Sequence, residues 1–270
     1  MILIFRKYIV RILLNLSFLF LLLLVALFIA TKGSGFPTPW SEEQIWWSLF
    51  SNSTTAGMLK YISLGGQLIF SFLAGLIISR QIKRNPSAEL SFFYLFLFCF
   101  SLQIFRIPFL LENPFPFLTA SGLTTRIIYF SRILSLACLF AASLFSSGLQ
   151  IQKFGMVLLI SMLIAFTLAS LIPVNTSIIT GALINRIARE KHLALFCTTL
   201  EVLTVLNYIA AAQHQGRIEY YRLAFLSLLV ITGYELLFFL HAPFMIPGFA
   251  CLIPGTILFT RTSRKLFLWS

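Results

Sequence analysis

Four ionisable side chains stand inside long apolar stretches of the chain: Arg106, Arg132, Glu201 and Glu235. A charge at bilayer depth costs at least about 2.5–3.5 kcal/mol on insertion scales, so each needs a partner. The two guanidinium groups can hold an anion, and the two carboxyl groups can balance them or carry a proton. The same residues allow two uses. The charges can pair only with one another and fix helix register. They can instead line a polar cavity where Arg106 and Arg132 bind an anionic ligand and the glutamates tune it. Tyr129, Tyr208, Tyr234, Thr198, Thr199 and Asn207 share these segments as hydrogen-bonding groups.

Other chemistry leaves no mark. Cys99, Cys138, Cys197 and Cys251 lie far apart in apolar runs, and His192, His214 and His241 are scattered. No H-E-x-x-H, Walker-type glycine loop, GxGxxG or G-x-S-x-G pattern occurs. No metal site, cofactor or catalytic residue is therefore expected. Every acidic residue is Glu, and Asp is absent. That makes a lipid-modifying enzyme the weakest of the functional classes, since such enzymes expose a His, Asp or Cys constellation at the interface.

The elements that must position these side chains follow from composition. Of 270 residues, 59% are hydrophobic and 10% are charged, against about 25% charged in a soluble domain. Mean hydropathy is +0.94. A soluble enzyme, a disordered tail and a disulfide scaffold are excluded, and an integral membrane protein remains. Twenty Lys and Arg face eight Glu, for a net charge of +12. In a membrane protein such an excess lines cytoplasmic helix ends and meets anionic lipid. Membrane lipid is thus the expected partner, and nucleic acid is not.

A span needs about 20 apolar residues, and eight stretches qualify: 12–31, 59–79, 90–111, 127–147, 154–173, 193–212, 223–241 and 244–260. The expected fold is an all-α polytopic bundle of eight transmembrane helices, or seven if the first is cleaved as a signal sequence. Pro247 and Pro254 interrupt the last stretch, which could be broken or re-entrant. The chain divides into an anchor or signal sequence at 1–31, an external loop at 32–58, a bundle at 59–260 and a basic tail at 261–270. Lys and Arg at both ends and in the 80–84 and 217–222 turns place both termini in the cytoplasm. Loop 174–192 falls outside and reads as a flat amphipathic helix, with Ile179, Leu183, Ile184 and Ile187 on one face. In the 32–58 loop, a Ser41-to-Gln44 capping box leads into an interfacial helix, with Trp40, Trp46 and Trp47 as headgroup anchors. The aromatic stripe from Phe92 to Phe105 reads as packing, and Ser71/Gly75 and Ala165/Ala169 as close helix contacts.

Residues 59–111 pair a long helix with a short basic turn, Ser79-Arg80-Gln81-Ile82-Lys83-Arg84, and then an aromatic helix, Phe92-Phe93-Tyr94-Leu95-Phe96. This layout resembles the membrane portion of bacterial seven-transmembrane receptors with diverse intracellular signalling modules. The resemblance covers roughly 59–260 and implies a multi-pass protein of a bacterial inner membrane. No catalytic residue carries over from it. The expected function is a non-catalytic membrane sensor or interaction protein built on the Arg/Glu site. It would signal to a cytoplasmic partner or a second membrane subunit. The alternative is a small transporter of an anionic or proton-coupled solute.

Overall fold

The computed structural model describes residues 2–30, 57–84, 87–109 and 122–268. Within them lie eight helices long and apolar enough to cross a bilayer. The chain is an all-α, multi-pass bundle, decorated by one short β-hairpin. In chain order the helices are α1 (Ile2–Ala30), α2 (Gly57–Arg84), α3 (Ala88–Ser101), α4 (Leu123–Ser146), α5 (Phe154–Leu171), α6 (Glu190–Gln215), α7 (Ile218–Phe238) and α8 (Ala242–Leu268). The hairpin strands are β1 (Val174–Ile179) and β2 (Asn185–Ile187).

Helix α3 begins on a side-chain cap: Leu90 N–H donates to Ser87 Oγ, satisfying one of the free amides of the first turn. It then tightens into a 3-10 segment, Leu102–Phe109, that contains Pro108. Proline lacks the N–H that α-helical pairing would need there. Together the two pieces make one span, Ala88–Phe109, and most residues of that span and of α4 are buried. These two form the axis of the bundle. At the periphery, few of the described side chains of α1 and α6 are buried. Their outward faces carry Leu19, Leu22, Leu195 and Leu206. Lipid tails are as apolar as leucine, so such faces need no protein cover.

The aromatic stripe is core, as expected. Phe93 stacks on Phe259 of α8 at 4.3 Å, and Phe92 lies 4.8 Å from Phe154 of α5. Phe100 meets Tyr234 of α7 edge-to-face at 5.1 Å. The tightest helix contact was not among the expected small pairs. A Cβ at Gly233 of α7 would sit 2.7 Å from Leu252 N and 2.8 Å from Gly248 O, so only glycine fits between α7 and α8. Ser71 and Gly75 do lie at a helix contact, the first donating to Leu97 O at 2.7 Å and the second against Tyr94.

Two expectations are corrected. The last span is neither broken nor re-entrant: α8 runs unbroken for 27 residues through Pro247 and Pro254. It packs closely on α7 at Gly248 and Leu252. The 174–192 loop is not a flat amphipathic helix. Its first part is an antiparallel hairpin, with Val174 paired to Ile187 and Asn175 to Arg186. Pro173 precedes β1, and the strand is rich in β-branched residues, which favour a pleated chain. The turn closes with Leu183 N–H donating to Thr180 O at 2.9 Å, and Leu183 adopts a φ of 56°. The residues assigned to an apolar helical face still go inward. Leu183, Ile184 and Ile187 are buried in the bundle mouth instead of lying on lipid.

Residues 31–56, 85–86 and 110–121 lie between the described pieces. Trp40, Trp46 and Trp47, expected as interfacial anchors, lie outside the described residues.

Candidate functional site

The start of α1, the ends of α2, α6 and α8 and the starts of α3 and α7 fall at one end of the bundle, and the hairpin at the other. The Tyr94 hydroxyl donates to Val10 O, and the Tyr208 hydroxyl to Glu89, which ties α1, α3 and α6 together at the terminal end. The four charged residues picked out by sequence all lie in the hairpin half, and the structure brings them together.

The 3-10 segment after α3 carries Arg106 into the centre of the bundle, where its side chain is fully buried. Its Nη1 donates to Phe238 O at 2.6 Å and to Ala182 O at 3.0 Å. Phe238 ends α7, whose last carbonyls have no partner within the helix. A cation there also faces the negative end of the helix dipole. Next to it, Gln67 of α2 donates from Nε2 to Leu237 O at 3.2 Å. Arg106 therefore caps α7 and grips the hairpin tip with one nitrogen.

Arg132 of α4 donates from Nη2 to Glu235 Oε2 of α7 at 2.6 Å. Glu201 of α6 brings its carboxyl against that of Glu235, so two carboxyl groups face one guanidinium. The ring of Phe238 joins the cluster. Arg106 lies 4.4 Å and Arg132 4.3 Å from its centroid, within the range where a ring face attracts a cation. On the hairpin, Asn185 N–H donates to Thr125 Oγ1 of α4 at 2.9 Å. Several buried groups keep unused hydrogen-bonding atoms here: Arg106 Nε and Nη2, Arg132 Nε, Asn185 Nδ2, Glu235 Oε1 and the Tyr234 hydroxyl.

Of the auxiliary polar residues, Tyr129 and Tyr234 belong to this cluster: both interact electrostatically with Arg106. Thr198 and Thr199 do not; both are exposed, and Thr199 donates to Leu195 O of its own helix. Asn207 and Tyr208 lie toward the terminal end. Asn207 Nδ2 donates to Ser143 Oγ at 3.2 Å.

Tyr208 reveals a second polar cluster that sequence reasoning missed. Glu89, in the first turn of α3, is buried and accepts from the Tyr208 hydroxyl at 3.4 Å. Ser146 of α4 and Ser263 of α8 also face its carboxyl. Gln215 Nε2 donates to Ser146 O at 3.0 Å and closes the set. Phe238 was missed as well; among thirty phenylalanines, nothing local distinguishes it. Glu89 did carry a signal, a carboxyl three residues after Pro86 and heading an aromatic run.

Among the described residues no group of three or more His, Cys, Asp or Glu could hold a metal ion. Known protein families, curated proteins and solved structures contain no match to this chain.

Proposed function

We propose that the chain is a membrane sensor or interaction module without a reaction of its own, and that the β-hairpin is its receiving element. One observation carries this: a single nitrogen of Arg106 holds both the hairpin tip, at Ala182 O, and the last turn of α7, at Phe238 O. Any ligand or partner that moves the hairpin acts on that shared donor, and so on the end of α7. Helix α7 then crosses to the terminal end, where Arg222, Arg261, Arg264 and Lys265 are exposed. In this function that basic surface lies in the cytoplasm of a bacterial inner membrane and meets the signalling partner or a second membrane subunit.

Hydrogen–deuterium exchange on the full chain in lipid nanodiscs tests the coupling. With Arg106→Met, uptake should rise at 174–187 and also in the first turns of α7, near Ile218–Tyr221. A rise confined to the hairpin would overturn the sensor. Proton or anion flux in proteoliposomes, abolished by the same substitution, would establish the transporter in its place.

A further inference from the structure

The charges of the hairpin cluster are unevenly matched. Arg132 has Glu235 at 2.6 Å and Glu201 beside it. Among the described residues Arg106 has no such partner. The ionisable groups among them that reach it are Tyr234, Tyr129 and the like-charged Arg132. A guanidinium cannot shed its charge inside a protein, and a buried charge without a counter-ion is strongly unfavourable. The carbonyls of Ala182 and Phe238 offer it only partial dipoles, and both are taken by Nη1.

The two unused nitrogens of Arg106 are Nε and Nη2. They are not a random pair. Their N–H bonds run parallel along one edge of the planar group, at the spacing of the two oxygens of a carboxylate. The residue is fully buried, so this edge is not simply open to bulk water. Further unused donors belong to the same cluster, Arg132 Nε and Asn185 Nδ2, the latter on the hairpin strand that follows the tip. The Phe238 ring, 4.4 Å from the guanidinium, makes the surroundings apolar.

We propose that the free edge of Arg106 binds a monocarboxylate, held side-on by Nε–H and Nη2–H beneath the hairpin tip. One carboxylate neutralises one guanidinium, whereas a dianion would leave a net negative charge in a dry site. Arg106 is enclosed in the bundle and its Nη1 holds the hairpin tip, so the acid enters when the hairpin lifts. This assignment rests on the proposed function in taking the hairpin as the moving part, and it names the chemistry of the input. The acid can arrive from water or from the bilayer as a fatty acid.

The test is equilibrium binding to the purified full chain in zwitterionic nanodiscs at fixed pH and ionic strength. Radiolabelled benzoate probes the aqueous route and oleate the bilayer route. Saturable binding of either probe is expected, with Arg106→Lys weakening it about tenfold or more. Lysine keeps the charge but has no fork. Should that variant fail to fold, solid-state dipolar coupling between labelled arginine nitrogens and a 13C-carboxyl on the bound probe gives the contact in the wild-type chain. Absence of saturable binding by both probes would overturn the site. So would undiminished binding by a folded Arg106→Lys, or displacement of the probe by inorganic phosphate as readily as by unlabelled acid. Carboxylate binding without coupling between hairpin and α7 would sink the sensor and keep the site. The reverse result would sink the site alone.

Discussion

At the hairpin end of the bundle two buried guanidinium groups meet two half-buried carboxyl groups, whereas at the terminal end one buried carboxyl lies among hydroxyls. The contrast follows from what each group can do without water. A carboxyl can exist neutral, and Glu89 then needs little more than the Tyr208 hydroxyl, with Ser146 and Ser263 close to it. A guanidinium is always charged. The hairpin end must therefore supply carbonyls, a ring face and a carboxylate, drawn from positions far apart in the chain: Ala182, Phe238 and Glu235. Ordering those groups draws in the hairpin, the end of α7, α4 and α6. One end is thus a helix clamp of modest polarity, and the other is a charged junction that also anchors the hairpin.

The largest effect that bears on this contrast is expected at the Arg132–Glu235 pair. Removing one partner of a buried ion pair leaves the other uncompensated and costs about 3–5 kcal/mol. Glu235 keeps 22% side-chain exposure, which moves the expectation for Glu235→Gln to the lower part of that range. Replacing both residues, as Arg132→Met with Glu235→Leu, should recover most of the loss, since no unpaired charge then remains. A double-mutant cycle from reversible unfolding in mixed micelles measures the coupling. A coupling near zero would mean that Glu201 alone balances Arg132, and that the junction is not built on the 2.6 Å pair.

Much of the charged junction was legible before any geometry. Hydropathy is a local property, so eight spans can be counted from it, and the lipid penalty makes Arg106, Arg132, Glu201 and Glu235 conspicuous within them. The partners of Arg106 were not legible, because two are main-chain carbonyls and no side-chain pattern announces those. The hairpin failed for a different reason. Leu183, Ile184 and Ile187 satisfy a helical face and a hairpin facing the bundle equally well, and the choice depends on insertion into the mouth, a tertiary event. The terminal cluster was overlooked because Glu89 begins its helix, where sequence alone suggests water, while Tyr208 comes from 119 residues away. The contact of Gly233 with Gly248 links two glycines on helices whose register only packing sets.

A middle-sized effect should separate the hairpin from the helices beneath it. Asn185 N–H is held by the Thr125 hydroxyl at 2.9 Å, and both residues are buried. Thr125→Val keeps the shape and removes the acceptor, leaving the amide unsatisfied at a cost of about 1–3 kcal/mol. Exchange at Asn185 and its neighbours should quicken, while the terminal half of α6 stays protected. Equal quickening at both ends would mean that the two clusters unfold as one unit and that the contrast has no dynamic meaning.

The smallest effects belong to the terminal cluster, and they decide whether its chemistry really differs. Glu89→Gln keeps an acceptor for the Tyr208 hydroxyl at nearly the same place, and Ser146 and Ser263 still face it. If the carboxyl serves there as a hydrogen-bonding group, the substitution should cost under about 1 kcal/mol, and Tyr208→Phe about 0.5–1.5 kcal/mol. If Glu89 serves as a charge, its loss should rival that of Glu235→Gln. Unfolding of both variants beside Glu235→Gln, under one set of micelle conditions, makes the comparison direct. A ratio near one would erase the distinction between the ends. A several-fold larger loss at Glu235 would locate the ionic demand of the bundle under the hairpin, where an unpaired guanidinium edge already waits for an acid.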